Sequence, residues 1–356
     1  MRVLVLPGDG IGPEIVDAAM AVVRAANDTF QLGLSFDYDD VGFVSLEKHG
    51  TTLRDSVLEK AKTYDGIILG TQSHADYPAP ENGGRNVSAG FRTGLDLYAN
   101  VRPARTRAFI ESNMKPGKRM DLVIMREATE GFYPDRNMSR GWGEVMPSPD
   151  MALSTRKITR QCSERIARRA FELAMQRRKK VTAIHKANSF HMTDGLFLEC
   201  VRHVAKDFPE VQLDDLLVDA ATAHLVRNPE QFDVVVATNF YGDILSDLAS
   251  ELSGSLGLAG SIMASDTHCC AQAQHGSAPG IAGQDKANPV SMILSVAMLL
   301  QWLGEHHSRS ALNDAGRAMA AAVDTVLENP ATRTADLGGA MGCQAFGAAV
   351  AHVIAG

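Results

Sequence analysis

Short apolar runs and stretches of helical spacing alternate along almost the whole chain. Residues 3–6, 66–69, 122–125, 181–184 and 234–237 are built mainly from Val, Ile, Leu, Met and Ala, each close to a turn or polar segment, and they predict buried strands. Behind Pro13, Ile15, Ala19, Met20, Val22, Val23 and Ala26 fall largely on one helix face, and residues 194–207 and 243–252 follow the same spacing. The alternation predicts an α/β fold with a largely parallel sheet. Residues 77–90 and 269–288 are polar and glycine-rich, and loops of that length in a compact protein commonly wall a functional site. Residues 137–155, with Gly141, Gly143, Pro147 and Pro149, predict an arm or extended hairpin. No internal repeat, low-complexity segment or Pro/Gly/Ser linker divides the chain.

The opening MRVLVLPGDGIGPEIV runs from a strand through a glycine turn into a helix, as a dinucleotide-binding βαβ unit does. Its spacing departs from that fingerprint: Gly8, Gly10 and Gly12 alternate, and Pro13 stands where the third fingerprint glycine belongs.

Composition narrows the function classes. A chain of 356 residues, 45% apolar and 22% charged, is long enough for one to three packed domains. Its net charge of −7 argues against a nucleic-acid surface, and the one basic run, 177–180, lies at a helix end, where cations suit the helix dipole. The longest apolar stretch, 290–303, is shorter than the roughly 20 residues a bilayer span needs. The start reaches glycine and a charge before an apolar region forms, so no secretory leader is expected. Cys162, Cys200, Cys269, Cys270 and Cys343 contain no C-x-x-C pair, which fits reduced thiols in a cytoplasmic protein.

Four constellations could carry chemistry. In FYGDILSDLASE, Asp243 and Asp247 are four apart and share one helix face; they repel unless a cation lies over them, and oxygen-only ligands favour Mg²⁺ or Mn²⁺. A solvated helix face is the alternative. Arg92 and Arg102 flank GLDLYANV, and Arg126 follows in IMREATEGFY; such arginines can clamp a di- or tricarboxylic acid or simply form scattered surface pairs. Lys186 of IHKANSF follows a strand end, where open α/β sheets place ligands, and could act as a base with Tyr133 as acid; a surface lysine and a core-edge tyrosine are the plainer roles. The small residues of QHGSAPGIAGQDKANP allow backbone amides to approach a ligand, or form an ordinary surface loop.

Taken in order, LPGDGIGPE, LDLYANVRP, RE-x-T-x-G-x-Y, HKAN, VDA-x-x-x-HLVR, GDILSDLAS, GSLGL, HGSAP-x-IAG, ANP and DLGG give the chain its likeness. It resembles the isocitrate/isopropylmalate dehydrogenase family of metal-dependent, β-decarboxylating 2-hydroxyacid dehydrogenases, and is similar overall to the 3-isopropylmalate dehydrogenase-like members. The resemblance implies a two-domain α/β fold with an active-site cleft, distinct from the Rossmann fold: residues 1–97 with 254–356 form one domain, and 98–253 the other. It also implies a homodimer with shared sites, joined by the arm 137–155 and by helices near 194–206 and 242–253. Arg92, Arg102 and Arg126 would hold the malate carboxylates. Asp243 and Asp247 would ligate Mg²⁺ or Mn²⁺ with Asp219 of the other subunit, which would also supply Lys186 and Asn188. Lys186 would deprotonate the substrate 2-hydroxyl during hydride transfer, and Tyr133 would protonate C3 after loss of CO₂. The cofactor's adenosine end would lie on His275, Gly276, Ser277, Ala278, Pro279, Gly280, Ile281 and Asn288, with Ile11 bordering it.

Two segments depart from the family's patterns. Gly280 replaces both the aspartate common in NAD-dependent members and the lysine common in NADP-dependent ones, while Ile281 follows the NAD type; NAD is the expected cofactor, with NADP as the alternative. In ENGGRNVSAGFR, Arg85, Asn86, Ser88 and Ala89 occupy the expected C3-substituent pocket, with Ser189 after HKAN, and this set is more polar than an isopropyl group wants. The expected substrate is therefore a 3-isopropylmalate-like acid, with isocitrate, homoisocitrate, tartrate and D-malate as alternatives. A non-catalytic regulatory subunit is the competing class.

Overall fold

The computed structural model describes residues 1–356. Its strands in chain order are β1 (Arg2–Leu6), β2 (Ser35–Tyr38), β3 (Gly66–Leu69), β4 (Ala99–Arg105), β5 (Asp121–Glu127), β6 (Glu144–Ser148), β7 (Met151–Ser154), β8 (Lys180–His185), β9 (Gln212–Leu217), β10 (Val234–Ala237), β11 (Ile262–Ala264) and β12 (Cys269–Gln272). The chain divides into two compact units, Met1–Leu95 with Ala108–Glu111 and Ser255–Gly356, and Asp96–Arg107 with Ser112–Gly254.

In the first unit the strand order is β2-β1-β3-β12-β11, parallel except for β11. Helix Val290–His306 packs on β12 and against Ser310–Glu328, and nearly all its faces are buried. This is why the apolar run 290–303 is so continuous: it is a central core helix, and no helix of the chain is long and apolar enough to cross a membrane.

The second unit orders its strands β4-β5-β10-β8-β9, with β4 antiparallel to β5 and the others parallel. Helices cover both faces. Val234 and Val236 join Ile166, Ala170, Phe171, Phe197 and Val201 on one side, while Val235 and Ala237 meet Leu225, Leu245 and Ala249 on the other. Successive strand residues point to opposite faces, so a strand covered on both must be apolar throughout, as VVVA is. β6 and β7 form a separate antiparallel hairpin within 137–155, and Val145, Met146, Met151 and Leu153 are each more than half exposed on it.

The structure corrects two sequence-based expectations. Residues 269–272 are a buried strand rather than the start of a polar loop, because the two cysteines serve as small apolar residues there. The segment 77–90 ends inside helix Val87–Gly94, capped by Asn86, whose side-chain oxygen accepts the Ala89 amide hydrogen at 2.9 Å. Each unit carries one antiparallel strand in its otherwise parallel sheet. All five cysteines are free thiols.

The Gly8–Gly12 turn is a packing device. The Asp9, Ile11 and Gly12 amides donate to Thr71 O (2.7 Å), Ser277 O (2.8 Å) and Asp9 O (2.8 Å). The buried Asp9 carboxylate accepts from the Phe43 amide (2.7 Å), the Ser73 amide (3.1 Å) and the Tyr77 hydroxyl. These three amides are committed to protein acceptors, so they do not form a phosphate cradle. Gly10 has φ +58°, and a Cβ there would lie 2.0 Å from Ser277 O. Gly10→Ala is expected to cost about 2 kcal/mol or more, through the left-handed backbone and the displaced segment at Ser277, read as a lowered urea midpoint at unchanged slope.

Candidate active site

A charged cluster forms within the second unit where helix Asn239–Ser253 crosses β4 and β5. Asn239, Asp243 and Asp247 are spaced i, i+4, i+8, so the helix presents them as one stripe. Asn100 lies opposite Arg126 in the β4–β5 register, and Arg102 is two residues along β4, so all three side chains share a sheet face. Gly242 permits the close approach: a Cβ there would lie 2.8 Å from Arg126 Cβ.

Arg102 Nη1 donates to Ser246 Oγ at 2.7 Å and approaches Asp243 Oδ1 at 3.1 Å and Asp247 Oδ1 at 3.3 Å, while its Nε donates to Asn100. Arg126 gives Nε (2.9 Å) and Nη2 (2.7 Å) to Asn239 Oδ1, and its Nη1 pairs with Asp243. The Tyr133 hydroxyl donates to Asp243 Oδ2 at 2.7 Å and accepts from Arg126 Nη2 at 3.0 Å. Burial, reinforced by the like charge of Arg126, pushes the Arg102 guanidinium down to about 10, and Asp243 and Asp247 oppose that shift. Arg102 thus remains charged at neutral pH.

A second group stands at the ends of neighbouring strands β8 and β9. Lys186 Nζ contacts Asp219 Oδ1 at 2.8 Å, and the lysine holds that exposed carboxyl below the usual carboxylate range. His185 and Leu217 are paired in the parallel register, which brings Lys186 and the helix Val218–Arg227 together. Asn188 is exposed in the following turn. No three Asp, Glu, His or Cys side chains of one chain gather as a metal cage. The Asp243–Asp247 stripe, with two hard oxygen donors on one face, nonetheless suits part of a Mg²⁺ or Mn²⁺ site.

The remaining predicted residues lie in the first unit. Arg92 sits in helix Val87–Gly94, with its Nε 3.0 Å from Met263 Sδ. Ser88 is buried and its Oγ accepts from Gln272 Nε2 at 3.0 Å; Asn86 caps the same helix, and Arg85 Nη1 binds Leu53 O and Asp55 Oδ1, each at 2.8 Å. Along 275–288 the chain is pinned at its ends. The Ile11 amide bonds Ser277 O, Ser277 Oγ meets Ser73 Oγ at 2.8 Å, and Asn288 Nδ2 donates to Asp336 of DLGG at 2.9 Å. Between these anchors Ala278, Pro279, Gly280 and Ile281 form a short exposed turn. His275 Nδ1 lies 3.0 Å from Gly276 O, and its Nε2 is buried with no hydrogen-bond partner. Burial lowers the imidazole pKa, so the neutral ring presents an unused nitrogen, and no neighbour would meet a Cβ at Gly276 or Gly280. The open space at Gly276 and Gly280 leaves room for an adenine-bearing cofactor to approach the loop.

Sequence reasoning missed Asn239, Ser246, Asn100 and Gln272. Extending the Asp247–Asp243 interval back by four residues would have found Asn239, which accepts from Arg126 Nε and Nη2 and donates to Glu130 O at 2.8 Å. Asn239→Ala leaves a buried guanidinium and a buried carbonyl short of partners. A loss of about 2–3 kcal/mol in unfolding free energy is expected by urea titration.

The model of the isocitrate/isopropylmalate dehydrogenase family matches residues 2–350. The chain is 41% identical over 354 residues to the isocitrate/homoisocitrate dehydrogenase of Thermus thermophilus, covering 99% of this chain and 98% of that protein. It is 39% identical to the 3-isopropylmalate dehydrogenase of Archaeoglobus fulgidus, covering 99% of each. The crystal structure of isocitrate dehydrogenase from Methylococcus capsulatus superposes with a TM-score of 0.87 at 37% identity, covering 100% of this chain and 99% of that one. With two-unit architecture, motifs and full-length matches in agreement, the chain belongs to the isocitrate/isopropylmalate dehydrogenase family and is a decarboxylating dehydrogenase.

Proposed function

We propose that the protein oxidises a malate-type 2-hydroxy acid at C2 with NAD and releases its β-carboxylate as CO₂, leaving a 2-keto acid. The observation that carries this reading is the set of buried Arg102 and Arg126 with partly exposed Tyr133 and Asp243, which joins two carboxylate-binding forks, an oriented phenol and a hard oxygen donor. Arg102 and Arg126 hold substrate carboxylates. Lys186 accepts the hydroxyl proton, and Tyr133 returns a proton to C3 once the β-carboxylate has left. Bound NAD supplies the hydride acceptor, and a divalent cation on Asp243 and Asp247, with Asp219 of a second copy, supplies positive charge that favours an anionic substrate oxygen.

The reading includes a homodimer. The Lys186–Asp219 pair stands at the ends of β8 and β9, and the hairpin β6–β7 exposes more apolar side chain than a solitary surface usually carries. Asn188 belongs to the same donated group. The C3 substituent is polar or acidic, because Arg85, Asn86 and the buried Ser88 make the start of helix Val87–Gly94 a polar surface where an isopropyl group needs apolar contact. That favours acids of the isocitrate and homoisocitrate type. NAD is preferred over NADP because the exposed turn at Gly280 and Ile281 carries no cation for a 2′-phosphate.

Initial rates with Mn²⁺ and NAD across isocitrate, homoisocitrate, 3-isopropylmalate, tartrate and D-malate test this assignment. The highest kcat/KM is expected for a tricarboxylic acid, and a preference for 3-isopropylmalate, or for NADP, would overturn the corresponding part. Lys186→Met and Tyr133→Phe are each expected to lower turnover by at least about 100-fold, in line with acid–base contributions. Near-normal turnover in either folded variant removes that residue's role.

A further inference from the structure

A buried ion pair outside the set described above touches the segments that bear it. The Arg156 side chain is 5% exposed and that of Asp194 is fully buried, and Arg156 Nη1 pairs with Asp194 Oδ1. Asp194 Oδ2 accepts the Lys186 amide hydrogen at 2.6 Å. On its other side, Arg156 Nη2 donates to Thr238 Oγ1 at 3.1 Å; Thr238 is the residue from which helix Asn239–Ser253 starts, and its hydroxyl makes no cap of its own. The guanidinium lies between the rings of Phe132, Phe190 and Tyr241, 5.0, 5.3 and 5.1 Å from their centres. Phe132 precedes Tyr133, and Tyr241 is two residues before Asp243.

Arg156 is also delivered from a fixed place. The Thr155 amide donates to Gly143 O at 2.8 Å at the base of the hairpin, and Lys157 exchanges two 3.0 Å backbone bonds with Gly131. The backbone on each side of Arg156 is thus pinned before its side chain enters the cage. A buried pair of this kind is weak evidence for stability, because desolvation offsets much of its attraction, and a geometric role accounts better for its many specific partners.

We infer that Arg156 and Asp194 are positioning residues, which fix the Lys186-bearing strand end relative to helix Asn239–Ser253 and the root of the hairpin. The inference rests on the proposed function only for its kinetic consequence. The placement of Lys186 is measured independently of turnover.

The test uses the full chain carrying Arg156→Met with Asp194→Asn, a pair that leaves no buried charge and keeps an oxygen to accept from the Lys186 amide. Acylation of Lys186, followed by mass spectrometry against exposed Lys115, is expected to rise severalfold in the variant. kcat for the best substrate is expected to fall at least about 10-fold with KM changed much less, as for a misplaced reacting group. Arg156→Lys keeps the charge toward Asp194 without spanning to Thr238, should lie between the two, and carries the same measurement if the double variant does not fold. Unchanged Lys186 reactivity in the folded variant overturns the inference. Raised reactivity with unchanged kcat upholds the positioning and removes Lys186 from the catalytic reading instead.

Discussion

Two guanidinium groups buried side by side are the constraint on which the second unit depends. Arg102 and Arg126 are both nearly inaccessible to water, and Arg126 raises the cost of charging Arg102. Such a pair is tolerable only if anionic and neutral acceptors converge on it. The helix Asn239–Ser253 supplies them from four positions, Asn239, Asp243, Ser246 and Asp247, and must therefore lie close over β4 and β5. That closeness explains Gly242, where any side chain would meet Arg126, and Gly131, whose φ of +108° carries the chain past Asn239. Local sequence, helix placement and charge balance are one requirement seen at three scales.

Topology then decides which end of the sheet becomes chemical. β5, β8 and β10 run parallel, with Ala237 paired to Arg126 on one side and Ile184 on the other. Their carboxyl ends deliver Arg126, Lys186 and the start of helix Asn239–Ser253 to a common edge, where open α/β sheets place their ligands. The apolar strand interiors are covered on both faces, so polar chemistry has no other place in this layer. The buried pair Arg156–Asp194 sits at the same edge and touches all three segments.

Much of this was legible in the sequence where burial writes a simple period. VVVA, GIIL and the run behind Pro13 read correctly because both faces of the strands, or one stripe of the helix, are apolar. β2 (SFDY) and β9 (QLDDLL) did not, because both are edge strands that carry aspartates on partly exposed faces and thus lack the apolar signal. The same limit hid Asn239 and Ser246: a buried polar residue is defined by its partner across the fold, and no local pattern names that partner. Asp243, Asp247 and Lys186 stood out because charge at helical spacing, or at a strand end, is unusual enough to be noticed without a structure. The Lys186–Asp219 contact depends on the parallel register of β8 and β9, which sequence spacing does not encode.

The glycine turn and the 275–288 loop meet at the Ile11–Ser277 hydrogen bond but differ in their freedom to change. At Gly8, Gly10 and Gly12 any added carbon would press within 2.3 Å of a backbone oxygen, whereas at Gly276 and Gly280 it would meet nothing. The first unit therefore places an element closed to variation beside one open to it. Divergence in this region can accumulate at the open positions of the loop, such as Gly276 and Gly280, without disturbing the turn that supports it.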